Sequence, residues 1–232
     1  MSAPASLGLL HGFQLRLGRQ PVHLPLSAQR VLAFVALHER PLQRLFVAGS
    51  LWLDSSEQNA NASLRTALWR LRRPGCTLVE ASPTHVGLGR DIEVDVRDAA
   101  ARAQRAIRHA PEGGDLVTLC DAGDLLPDWY DDWVLIERER FRQLRLHALE
   151  ALCDELTGAG RYGEAAEAGL AAIAGEPLRE SAHRALIRAH LAEGNTGEAI
   201  RQYTLFRAVI HDRLGLEPSE QMERLVAGLP IS

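Results

Sequence analysis

Lysine is absent from these 232 residues: all 26 basic side chains are arginine. With many Ala and Leu, that composition is the imprint of a GC-rich genome. It also has a physical consequence, because a guanidinium binds phosphate or guanine as a bidentate fork and an ammonium cannot. Cysteine is scarce. Cys76, Cys120 and Cys153 are far apart, which excludes a disulfide framework and any CxxC metal site. No apolar run approaches the roughly 20 residues that cross a bilayer. The opening MSAPASLGLLHGF has neither a basic n-region nor a sustained apolar stretch, so no signal peptide is expected. Catalytic signatures are missing as well: there is no GxSxG, no GxxxxGK[ST] and no HExxH, and the nine His show no paired spacing. The expectation is a protein without enzymatic activity, metal or cofactor.

What is there is divided by charge. Residues 1–90 carry 10 Arg against 4 acids (+6), and residues 91–232 carry 16 Arg against 26 acids (−10), which together make the net −4. A basic end joined to an acidic body suggests a polyanion-binding module and a protein-facing module. The length suits one large or two modest domains.

Hydropathy periods separate the same two halves. Residues 7–26 alternate apolar and polar, the period of short half-buried strands in a small antiparallel sheet. Ser27 reads as the cap of a helix, SAQRVLAFVALHER, that ends near Pro41. A second short helix covers about residues 44–53, and Asp54-Ser55-Ser56 break it. The third, NASLRTALWRLRR from about Asn61 to Arg73, is the most informative. At about 100° per residue, Leu64, Ala67, Leu68 and Leu71 fall on one side, and Arg65, Thr66, Trp69, Arg70 and Arg73 on the other. Pro74-Gly75 end it. Two strand-like runs, CTLVEA and HVGLGRDIEV, flank Ser82-Pro83-Thr84-His85, so a β-hairpin, a wing, follows a basic amphipathic helix.

From Asp98 the pattern is helical. An Ala/Arg helix, DVRDAAARAQRAIRH, stops before Pro111-Glu112-Gly113-Gly114, and a Trp/Asp-rich junction leads into a long amphipathic helix. Gly160-Arg-Tyr-Gly163-Glu164-Ala165 matches Gly194-Asn-Thr-Gly197-Glu198-Ala199 at an offset of 34, as Ala148, Ala151 and Leu152 match Ala182, Ala185 and Leu186. That period, with small residues where helices cross, is the tetratricopeptide (TPR) signature, whose stacked helix pairs bind proteins or peptides.

This order of elements resembles the Streptomyces antibiotic regulatory protein (SARP) family. The residues that carry the likeness are Leu51-Trp52, Arg70-Leu71-Arg72-Arg73, Gly123-Asp-Leu-Leu-Pro127-Asp-Trp-Tyr-Asp-Asp-Trp133, Glu137 with Arg138, and Leu214-Gly-Leu216-Glu-Pro218, over about residues 8 to 229. The resemblance implies a mainly α fold with a small β component: an OmpR-type winged helix-turn-helix over residues 1–97, then a TPR-like bacterial transcriptional activation domain over residues 98–232. It also implies a transcriptional activator of actinobacteria, cytoplasmic and nucleoid-associated. Such a protein binds direct repeats in promoter DNA as a homo-oligomer arranged head to tail and recruits RNA polymerase. The wing departs from the family's Gly-Tyr pair, with Thr84-His85-Val86-Gly87 in its place, and the third helix has Arg65-Thr66-Ala67-Leu68-Trp69 where Gln-Val-His-Val-Ser is commoner. Base preference therefore does not transfer. Without a nucleotide-binding motif, the chain reads as a short, stand-alone member.

The candidate DNA-binding residues are Asn61, Arg65, Thr66, Trp69, Arg70, Arg72 and Arg73 on the third helix, with Thr84, His85 and Arg90 on the wing. Arg65 and Thr66 come early on the exposed face and suit base edges, while Arg70, Arg72 and Arg73 suit phosphates. Trp69 is read as packing against the wing or a neighbouring helix in preference to stacking on the sugar–phosphate edge. Trp129, Tyr130 and Trp133 read as structural anchors, and Asp128, Asp131 and Asp132 as solvated. Two rival readings stay open: a TPR adaptor whose winged helix has lost DNA binding, and a regulator with a small ligand in the helical half.

Overall fold

A computed structural model describes residues 5–73, 75–108, 110–112 and 114–230. The helix stop at Pro74, His109 at the end of the Ala/Arg helix and Gly113 of the break after it lie outside the described residues. The fold is mainly α with a small β component, and it divides into two compact units that interleave along the chain. Unit 1 holds residues 1–98 and 123–139; unit 2 holds residues 99–122 and 140–232.

In unit 1, β1 (Ala5–Gly8), β2 (Gln14–Leu17) and β3 (Gln20–Pro21) form an antiparallel ladder. The alternation explains it: Leu7 and Leu15 pair across the ladder and are buried, while Gln14 and Arg16 point to solvent. Helix α1 (Leu26–Ala36) starts one residue before the expected cap. Pro25 is its N-cap and Ser27 lies inside the first turn. The pyrrolidine ring holds φ at −62°, and the Pro25 carbonyl accepts from the Ala28 and Gln29 N–H groups at 2.9 and 3.1 Å, with no side-chain cap. Then come β4 (Leu42–Gln43), α2 (Arg44–Leu51) and α3 (Glu57–Arg70). The third helix begins earlier than its apolar period suggests because Ser56 caps it, its Oγ accepting from the Asn59 N–H at 3.4 Å. It also ends earlier, at Arg70, leaving Arg72 and Arg73 beyond the helix.

The wing is the hairpin of β5 (Val79–Ala81) and β6 (His85–Leu88), with β4 paired to the other edge of β6. The run after Gly89 does not continue the wing. It becomes β7 (Ile92–Val94), which pairs in parallel with β1 and completes a sheet of order β3-β2-β1-β7.

Residues 123–139 act as a strap on this unit. Leu125 forms a bridge with Leu10, the Leu126 N–H donates to Leu9 O at 2.9 Å, and the His11 N–H donates to Asp124 O at 3.0 Å. Trp129 stacks on Phe13 (centroids 6.0 Å, 13° between planes), and Trp133 meets Phe34 edge-on at 5.1 Å. Asp131 pairs with Arg30, so it is not the freely solvated acid expected. Tyr130 departs from the anchor reading in the opposite sense, being 80% exposed. Arg138 donates to the carbonyls of Leu125 (2.7 Å), Leu126 and Trp129 (2.9 Å), which fixes the strap's irregular backbone. His11 and Leu126, the two non-glycine residues described with positive φ, both sit at this junction.

Unit 2 takes its helices from α4 (Asp95–Ile107), α5 (Asp115–Asp121), α6 (Asp132–Gly158), α7 (Tyr162–Gly175), α8 (Glu180–Glu193), α9 (Thr196–Leu214) and α10 (Glu220–Val226), the first turns of α4 and α6 belonging to unit 1. Small residues let the helices approach: Ala165, Ala168, Gly169, Ala182 and Ala185 are all buried. A Cβ on Gly169 would stand 3.0 Å from the Leu186 Cβ. The 34-residue period has a backbone counterpart, since Gly160 and Gly194 both adopt left-handed φ (72° and 85°) just after α6 and α8. Asp115 is fully buried and accepts from Arg102, Arg105 and the Glu112 N–H. Burial opposes its ionisation, yet those donors prevail and hold it below the usual carboxylate range. Among the described residues, no helix is long and apolar enough to cross a membrane.

Candidate nucleic-acid interface

Helix α3 is amphipathic in the way its spacing requires. Leu64, Ala67 and Leu71 are buried and Leu68 half-buried, which leaves Arg65, Thr66, Trp69 and Arg70 exposed on the opposite side. The guanidinium groups of Arg65, Arg70 and Arg72 make no hydrogen bond or ion pair with any described residue. Arginines that stay unpaired on a protein with abundant carboxylates are available to an external anion. The Thr66 hydroxyl donates to Ala62 O at 3.0 Å and keeps its acceptor lone pairs for solvent or a ligand.

A groove of about 620 Å³ runs between α3 and the first wing strand. Arg44, Arg65, Trp69, Arg72 and Arg73 line it, together with Leu68 and Val79. Trp69 is 70% exposed. Its expected packing against the wing or another helix is therefore not observed, because α3 buries the leucine side and leaves the indole on the open one.

Arg73 differs from its neighbours. Its Nη1 donates to the Arg70 carbonyl at 2.8 Å and the Arg72 carbonyl at 2.9 Å, and its own carbonyl accepts from Cys76 N–H at 3.4 Å. Asn61 lies on the first half of α3, half-buried, and its Nδ2 donates to Glu57 O at 3.0 Å.

The wing residues sit apart from this groove. At the tip, Ser82 Oγ accepts from the His85 N–H (2.9 Å) and the Thr84 N–H (3.3 Å), and the Thr84 hydroxyl meets His85 Nδ1 at 2.9 Å. His85 and Arg90 line a separate cleft of about 480 Å³ with His38 and Glu80, and Arg90 lies 3.5 Å from Glu80. The structure thus brings Arg65, Trp69, Arg72 and Arg73 together and holds His85 and Arg90 elsewhere. Arg44, absent from the sequence candidates, joins the groove. Its N–H donates to Thr84 O at 2.9 Å, which ties the start of α2 to the wing tip. Nothing in the sequence distinguishes a lone arginine between two short elements, so only its pairing reveals it.

Among the described residues, no group of three His, Cys, Asp or Glu side chains is arranged to hold a metal ion. Residues 93–229 match the family described as bacterial transcriptional activator domain. The chain belongs to that family. This domain family comprises transcriptional regulators and is not a class of enzymes. The chain is also 30% identical over 191 residues to the regulatory protein AfsR of Streptomyces coelicolor, an alignment covering 76% of this chain and 19% of that one. It therefore spans about a fifth of that relative. In fold it is similar to Mycobacterium tuberculosis EmbR, a structure solved in complex with a low-affinity phosphopeptide. The TM-score is 0.73 at 20% identity, over 96% of this chain and 64% of that one. These findings bear out the resemblance to the SARP family and the architecture of a winged helix followed by a helical activator domain.

Proposed function

We propose that this activator-domain protein is a sequence-specific transcriptional activator that binds promoter DNA through α3 and the wing and has no catalytic activity. On this reading the module of residues 1–97, completed by the strap, meets DNA in the cytoplasm at the nucleoid. The helical module of residues 98–232 recruits RNA polymerase. The single observation that carries it is the open face of α3 and the residues just past its end, where the guanidiniums of Arg65, Arg70 and Arg72 remain unpaired beside Trp69.

A helix docked by its leucine side presents the opposite side to a major groove. Arg65 and Thr66 lie toward the base edges, and Arg70 and Arg72 toward phosphates, while Thr84, His85 and Arg90 reach the backbone or the adjacent minor groove. Protomers arranged head to tail suit direct repeats spaced about one helical turn apart. The test is a mobility shift on the protein's own upstream region with Arg65→Ala and Arg70→Ala alongside. Arg65→Ala is expected to relax sequence preference and weaken binding by about 1–3 kcal/mol. If neither substitution weakens binding, the recognition face lies elsewhere.

A further inference from the structure

The arginines of the Arg70-Leu71-Arg72-Arg73 run do not share one task. We propose that Arg73 is a positioning residue, which closes the end of α3 and so fixes the aim of Arg70 and Arg72, and makes no phosphate contact of its own. This rests on the DNA-binding reading above.

A helix leaves its last four carbonyls without intrahelical donors. At the end of α3 these belong to Ala67, Leu68, Trp69 and Arg70. The Leu71 N–H serves Ala67 O (3.1 Å) and Leu68 O (3.3 Å), and the Arg72 N–H serves Trp69 O at 3.2 Å. The Arg70 carbonyl would remain open, and Arg73 Nη1 fills it at 2.8 Å while also holding Arg72 O at 2.9 Å. A positive charge at this end also meets the negative pole of the helix dipole. Both residues whose carbonyls Arg73 holds carry exposed, unpaired guanidiniums. The Arg73 main chain, bonded to Cys76 N–H, starts the turn toward the wing. One side chain therefore fixes the backbone of both proposed phosphate contacts, Arg70 and Arg72, where the chain leaves α3 for the wing.

The experiment compares wild type, Arg73→Ala, Arg73→Lys and Arg72→Ala in the full chain, with melting curves to confirm folding. Two readouts are taken: amide hydrogen exchange at Leu71 and Arg72 in the free protein, and affinity for a random-sequence DNA duplex across a salt titration. Arg73→Ala is expected to speed exchange at both amides, and Arg73→Lys to restore protection, since an ammonium can donate to the same carbonyls. Affinity of Arg73→Ala should fall about two- to fivefold with an unchanged salt slope. Arg72→Ala should flatten the slope by about 0.9, the loss of one phosphate contact. The proposal is overturned if Arg73→Ala flattens the slope as Arg72→Ala does, if exchange is unaltered, or if lysine fails to restore it. If wild type binds no duplex, the DNA reading fails by itself, and the exchange data still decide whether Arg73 closes the helix.

Discussion

The end of α3 and the helices of unit 2 use the same side chain in opposite ways. Around α6–α10, arginine after arginine is matched to a carboxylate: Arg142 to Glu176 (2.6 Å), Arg179 to Glu150 (2.6 Å), Arg188 to Asp154 (2.7 Å), Arg224 to Glu220 (2.8 Å). On α3 and just beyond it, Arg65, Arg70 and Arg72 stay open. Net charge describes neither case. The −10 of residues 91–232 includes arginines already engaged within the fold, whereas the modest +6 of residues 1–90 includes guanidiniums that no described residue engages. Availability of charge, more than its sum, separates the proposed binding face from a packed one.

The units also differ in how they are assembled. Unit 2 is built from helices alone, while unit 1 combines strands and helices and borrows a strap from beyond residue 122. The largest expected effect comes from breaking that arrangement. A chain ended after residue 98 loses the Leu10–Leu125 bridge and the Trp129 and Trp133 contacts, and should lose cooperative thermal unfolding of the winged helix. A fragment of residues 1–98 that melts as sharply as the full chain would show the strap to be dispensable.

Next in size is Asp115→Asn. It removes the buried acceptor of Arg102 and Arg105 and should cost unit 2 about 2–3 kcal/mol in denaturant unfolding. Because Asp115 is held below its ordinary range, its contribution is present above about pH 4 and lost as the pH falls through the lower folded value. The variant's disadvantage should therefore shrink in acid.

A smaller, pH-gated effect belongs to His183. It is buried against Phe206 (centroids 4.5 Å), its Nε2 lies 3.0 Å from Pro177 O, and its Nδ1 lies 2.7 Å from Gln202 Nε2. Burial pushes its imidazole below the ordinary value, against the Pro177 carbonyl and Glu180. The unfolded chain then takes up the proton first, so stability falls as pH drops below about 6.5. Melting curves of His183→Gln should show a shallower fall over that window than wild type.

The smallest change is expected from Arg224→Ala on α10, whose partner Glu220 is as exposed as Arg224 itself. Stability should stay within about 0.5 kcal/mol, and DNA affinity should be unaltered.

Legibility in the sequence followed range. The faces of α3 were readable because Leu64 and Arg65 belong to one local period. The helical repeat was readable because Gly160 and Gly194 end equivalent helices with the same backbone conformation. The partners of strands were not: an alternating run such as Ile92–Val94 records that one face is buried and says nothing of the ladder it joins, here β1. The strap was hidden for the same reason, since Leu10 and Leu125 meet across more than a hundred residues. At the candidate site, sequence identified the arginines but not their engagement, which depends on whether a guanidinium folds back on the chain, as Arg73 does, or stays open, as Arg72 does.

The most direct test is the salt dependence of promoter binding for wild type, for the triple substitution Arg65→Ala, Arg70→Ala, Arg72→Ala, and for Arg188→Ala as the paired-arginine control. Each lost phosphate contact should flatten the slope of log affinity against log salt by about 0.9. The account predicts a flattened slope and a large loss of affinity in the triple variant, with Arg188→Ala indistinguishable from wild type. A triple variant that keeps the wild-type slope would contradict it.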